Sequence, residues 1–446
     1  MKEAHPLETK IGMELYATDF DGFEGRLKTR FEDFVVEEIT TDREILQVKE
    51  WTQKSSEPPD LQGDKAKFVS FTVQKMGLST MDVSTIIASS LKLPRNLVSY
   101  AGLKDKRAVT VQRMSAPIRA ASDLGSLELS NIEIRDITKS KRLVQIGELW
   151  GNRFTILLRD IVIPANEAAE IAKELQSIPL INYFGIQRFG IARPNTHIAG
   201  KFLIRRDFEG MVRSILCTPG DYEDSELVNA RAELAETMTP TEKIIETFPK
   251  DLNFERIVMR ELMKHPGEFK RAVTRIPPRI LTLMVHAYQS FLFNHILSKR
   301  VRNGMSYITP EPGDFLIALD EAHSGRDSWL FVTESTLEKR RQQVAKNEYA
   351  LAIPSPGYST RLPPSQQSDL VKEVLESEGV SLIEFRNSEM KSLDAPGGLH
   401  RASIILTDWD SKAQDDNLLV RFSLRKGSYA TVVLRELMKN HPINRI

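Results

Sequence analysis

The chain has 446 residues, with 61 Lys and Arg against 61 Asp and Glu, 41% hydrophobic and 27% charged residues. That length suggests two or three domains and a core that needs no covalent staples. The composition excludes a disordered tail protein, a collagen-like chain, a disulfide scaffold and a histone-like protein held by bulk positive charge, but it leaves room for a local basic patch.

The N-terminus, MKEAHPLETKIGMELYATDF, has no apolar signal core, and the apolar runs are shorter than the roughly 18 residues of a membrane span. A cytoplasmic protein that makes no membrane contact is expected. The first 160 residues read as strand-rich. Short β-prone runs fall at Arg26–Thr29, Phe34–Ile39, Phe68–Val73, Ile132–Ile137 and Phe154–Leu158. One helix interrupts them at Thr80–Leu91, with Thr80 as its expected N-cap and Pro94 closing it. Asn166–Ile178 reads as a helix. Residues 195–400 are richer in helical patterns: Arg279–Arg300 after the Pro277-Pro278 break, the polar Glu334–Ala350, and Ser365–Glu378 closed by Gly379. Strand character returns at Ala402–Leu406 and Leu418–Leu424, before a helix from Ser428 to Met438. The pattern predicts an α+β fold, with one sheet domain built from both chain ends and a large insertion between them.

Charge is unevenly spread. Residues 1–60 hold 8 basic and 15 acidic residues, and residues 61–160 hold 16 basic and 9 acidic. The last 26 residues hold 6 basic residues against Glu436. Cys217 is the single cysteine, and the 8 histidines lack HExxH or HxxxH spacing, so no metal site and no disulfide is expected.

Four segments concentrate chemistry. In Ser99–Arg113, SYAGLKDKRAVTVQR, Asp105 is flanked by Lys104, Lys106 and Arg107, whose charge favours an ionised carboxylate. Such a group serves as a nucleophile, a base or a metal ligand, and it equally serves as a surface ion-pair partner. NYFGIQRFG, residues 182–190, sets Arg188 among aromatic residues and glycines, which suits single-stranded nucleic acid or a buried aromatic corner. GNRF, residues 151–154, offers the Asn152 amide and the Phe154 ring, as a base contact or as a strand start with a core ring. KGSYATVVLRE, residues 426–436, is a glycine turn, an expected N-cap at Ser428 and an amphipathic helix carrying Arg435.

Together and in order, these segments resemble the TruD family of tRNA pseudouridine synthases. The resemblance is carried by Lys28 with Glu32–Glu37 (EDFVVE), AGLKDKRAVTVQ at 101–112, GNRF, NYFGIQRFG and KGSYATVVLRE. It implies that Asp105 is the catalytic aspartate, that Asn152 and Phe154 line a uridine pocket, and that Lys28 pairs with Asp105. It implies a catalytic domain over 1–190 and 396–446 with a mixed sheet, and an α/β insertion over 191–395 forming the other side of a cleft. It implies isomerisation of a tRNA uridine at position 13, without cofactor or obligate protein partner. Lys104, Lys106, Arg107, Arg188, Arg425 and Arg435 are then the expected phosphate contacts. The chain departs from the family pattern at Phe31 and Arg425, where many members have proline. Competing expectations are a non-catalytic RNA-binding or RNA-folding protein on the same scaffold, and a metal-dependent nuclease using Asp105.

Overall fold

A computed structural model describes residues 1–51, 66–190, 193–319 and 329–445. Residues 52–60 of the acidic N-terminal stretch lie outside the described residues. The chain forms two compact units: Phe20–Leu180 with Ile404–Ile446, and Met1–Asp19 with Ile181–Ser403.

The first of these units is built on a large mixed sheet. Its strands are β1 (Glu24–Arg26), β2 (Phe34–Ile39), β3 (Phe68–Met76), β4 (Ser99–Tyr100), β5 (Val109–Pro117), β6 (Ile132–Ser140), β7 (Gly151–Ile161), β8 (Thr407–Gln414) and β9 (Asn417–Arg425). The order is β8-β9-β7-β2-β5-β3-β6, with β1 on β7 and β4 on β5. The pair β2 and β5 is parallel, with Val35 opposite Val109, while the other pairs are antiparallel. Both chain ends therefore feed one sheet, because β9 lies along β7 from Leu418–Leu158 to Arg425–Gly151.

The helix Thr80–Ser90 covers part of this sheet. Its Val83 and Ile87 are fully buried in a cluster with Val69, Phe71, Val73 and Met114. That burial, rather than helix propensity, holds the element. The N-cap is Ser79 and not Thr80: the Ser79 hydroxyl accepts from Asp82 N, and the Asp82 carboxylate accepts from Ser79 N. Thr80 points inward instead, where its hydroxyl donates to Gln112 Oε1 at 2.9 Å. The C-terminal helix runs Ala430–Met438 with Tyr429 at the N-cap, one residue beyond the expected Ser428.

The second unit is mainly helical, around the long helix Pro278–Arg302. Arg300 is fully buried at the end of that helix, donating to both Asp314 oxygens at 2.6 and 2.7 Å and to Gln367 Oε1 at 2.6 Å. A four-stranded antiparallel sheet orders Trp329–Phe331, Phe315–Ala318, Tyr349–Ser355 and Gly398–Arg401. The expected helix Glu334–Ala350 is shorter, Leu337–Ala345, because Tyr349–Ser355 leaves it to pair in this sheet. Among the described residues, no helix is long and apolar enough to cross a membrane.

Candidate active site

Because β2 and β5 are adjacent and parallel, the loops that precede them meet at one end of the sheet. One loop carries Lys28 and the other Asp105. Lys28 Nζ donates to Asp105 Oδ1 at 2.9 Å. The lysine side chain is 5% exposed and the aspartate side chain 38%. An ammonium fixed inside thus holds one oxygen of a carboxylate that still reaches solvent. Lys28 also lies 4.3 Å from the centre of the Phe34 ring, a cation–π contact that keeps it in place.

The Asp105 loop is pinned from below. Lys75 is fully buried on β3, and its Nζ donates to the main-chain carbonyls of Asp105 at 2.8 Å and Leu78 at 2.7 Å. Burial pushes the Lys75 ammonium down to about 8, against the pull of the Asp105 charge, which raises it. The Lys104 amide donates to Thr80 Oγ1 at 2.9 Å, and Lys104 Nζ meets Glu38 Oε2 at 2.6 Å. Glu38 also accepts from Arg113 N at 3.0 Å.

Strand β7 brings the next residues beside them, with Asn152 opposite Glu38 and Phe154 opposite Val36. Gly151 is required there: a Cβ at this position would lie 1.9 Å from Leu424 O on β9. Asn152 Oδ1 is buried with no hydrogen-bond partner, an unusual state for an amide oxygen. The Phe154 ring is 6% exposed and sits in an aromatic column, stacked on Phe422 at 5.5 Å and edge-on to Phe34 at 6.2 Å. Trp409 extends the column, stacking on Phe422 at 5.4 Å.

The expected phosphate contacts divide by burial. Lys106 and Arg107 are exposed. Together with Thr29, Arg30, Phe31, Glu32 and Gly77, they line an open groove of about 610 Å³. Lys104 is buried on Glu38, and Arg435 is 1% exposed, with its guanidinium on Glu436 at 3.1 Å. Both are held inside by carboxylates, so neither presents its charge to a phosphate. Arg425 lies 5.1 Å from the Trp150 ring, and Arg43 lies 4.3 Å from the same ring. Arg188 belongs to the other unit, where its Nε donates to Ser290 Oγ at 3.3 Å.

Lys75 and Glu38 were not expected at this site. Lys75 shares strand parity with Phe71 and Val73, so a lysine on an inward face of FVSFTVQK was the readable signal. Among the described residues, no group of three or more His, Cys, Asp or Glu side chains is placed to hold a metal ion.

Comparison with known proteins agrees with this architecture. Residues 10–437 match the family model described as tRNA pseudouridine synthase D (TruD). A "Probable tRNA pseudouridine synthase D 1" of Methanocaldococcus jannaschii is 33% identical, over 96% of this chain and 99% of that protein. A "Probable tRNA pseudouridine synthase D" of Methanosarcina acetivorans is 30% identical, over 99% of this chain and 98% of its own. The crystal structure of the Methanosarcina mazei protein that carries the TruD name superposes with a TM-score of 0.79 at 28% identity, covering 99% of this chain and 100% of that one. The fold is thus shared over 99% of this chain. The chain belongs to the tRNA pseudouridine synthase D (TruD) family.

Proposed function

We propose that this protein is an isomerase that converts a uridine of tRNA to pseudouridine, at position 13, in the cytoplasm, with Asp105 as the catalytic carboxylate. The observation that carries the reading is the Lys28–Asp105 pair: a carboxylate half open to solvent, held at 2.9 Å by a lysine that is not. It lies within the motif that marks the aspartate in the TruD resemblance.

The reaction breaks the bond between N1 and C1′, turns the uracil, and forms a bond between C5 and C1′. The proton lost from C5 is matched by one gained at N1, so atoms and charge balance within the substrate. The base must first leave its stack, at a cost of a few kcal/mol. Asp105 acts through a carboxylate oxygen, whether by adding to the nucleoside or by removing a proton, and Lys28 holds that carboxylate and aims it. Asn152 Oδ1 has an unused acceptor that suits a uracil N–H, and Phe154 with its column gives the pocket an apolar backing.

The expected result is that Asp105→Asn and Asp105→Ala abolish pseudouridine formation, read by mapping on a tRNA transcript, while tRNA binding persists. Near-normal turnover by Asp105→Ala would refute the assignment. An RNA-folding function that survives in the same variant would favour the non-catalytic alternative.

A further inference from the structure

We propose that the groove beside Asp105 is a subsite for a nucleotide adjacent to the target uridine, whose base stacks on Phe31 while its phosphates meet Lys106, Arg107 and Arg30. The proposal rests on the reading of Asp105 as the catalytic carboxylate.

Phe31 is 41% exposed, with its ring laid over Gly77. Gly77 has φ +71°, and a Cβ there would sit 3.3 Å from the ring's Cζ, so a larger residue would lift the ring off its seat. The turn that carries Phe31, Phe31–Asp33, is rigid at its other end. Asp33 accepts from Arg30 N at 2.8 Å, and Arg159 grips its carboxylate at 2.8 and 2.6 Å. The ring is therefore a presented and fixed aromatic face, not a loose surface side chain.

The groove walls supply three cations, Arg30, Lys106 and Arg107, against the one carboxylate of Glu32. Asp82 also acts on the Lys106 charge and Asp33 on the Arg30 charge, so part of the positive charge of these two is already answered by carboxylates. An aromatic face between cations matches a base and its phosphates, the pairing that single-stranded nucleic acid offers. The volume of about 610 Å³ falls in the range of small-ligand pockets. Lys106 and Arg107 directly follow Asp105, so an occupant of the groove adjoins the nucleotide at the carboxylate.

The test uses the full chain in the Asp105→Asn background and tRNA transcripts that carry 2-aminopurine on the 5′ or the 3′ side of the mapped pseudouridine site. Binding quenches the fluorophore at one of these positions if its base stacks on Phe31. Phe31→Ala abolishes that quenching and weakens binding about 10-fold, the loss of one stacked base. Phe31→Trp restores both, while Lys106→Ala with Arg107→Ala weakens binding and leaves the residual complex quenched. Equal quenching and equal affinity in Phe31→Ala and the parent chain would overturn the proposal. The readout is binding, so it stands apart from the turnover of Asp105→Ala: turnover there sinks the catalytic assignment, and Phe31-independent binding sinks the subsite alone.

Discussion

Lys75 shows how much a single fully buried side chain can do. Its buried Nζ satisfies two carbonyls, one of them that of Asp105 itself. Lys75→Met leaves both acceptors unpaired, at about 1–3 kcal/mol each, partly offset by removal of a buried charge. Its folded value, about 8, lies below the ordinary 10.5. Between these values the unfolded chain binds the proton and the folded chain does not, so this group's contribution to stability rises with pH. Urea melts are therefore expected to show the gap between parent and Lys75→Met widening from pH 8 to pH 10; a gap that narrows over that window would contradict the burial argument. The contact between Asp105 and Lys28 was legible in the sequence because both lie in segments that carry the family resemblance. The fates of Lys104 and Arg435 were not. Glu38 and Glu436 hold them in the interior, and a charge in a sequence does not say whether its partner is a phosphate or a buried carboxylate.

At the level of elements, strand β7 is the hinge of the site, since it joins β2 to β9 and carries Asn152 and Phe154 between them. Gly151→Ala forces a methyl group onto Leu424 O, so β9 must move away from β7. A loss of several kcal/mol in stability is expected from the broken ladder and disturbed core, on the order of a severe core substitution. It should appear in thermal melts together with a loss of uridine conversion. Normal melting of Gly151→Ala would mean that the two strands tolerate separation. Strand β2 was readable to the residue, because Phe34–Ile39 combines β-branched and aromatic residues. Strand β8, TDWDSKAQ, was not. It is an edge strand with Trp409 and Ser411 among its few buried side chains, so its sequence looks polar and only pairing with β9 makes it a strand. The end of the Leu337–Ala345 helix was missed for the same reason: Tyr349–Ser355 takes its conformation from a neighbouring strand.

Over the whole molecule, the balance of 61 against 61 hides a division between charges used inside and charges left outside. Much of the C-terminal basic cluster works internally: Arg435 is buried, Lys426 Nζ donates to Gly147 O at 2.8 Å, and Arg445 is buried against Asn440. Lys106 and Arg107 remain exposed. Neutralising both is expected to lower the slope of log Kd against log salt for tRNA by about 1.4–1.8, whereas the Lys104→Met/Glu38→Gln pair leaves it unchanged. Equal effects from the two double variants would show that burial does not sort these cations. Because β2 and β5 run parallel, no hairpin can join them, and the chain from Ile39 to Val109 must travel out and back before they pair. Long-range pairing of this kind is slow. Lys28 and Asp105 come from loops that meet only once it is complete. A half-folded chain therefore lacks the Lys28–Asp105 pair, which arrives together with the finished sheet.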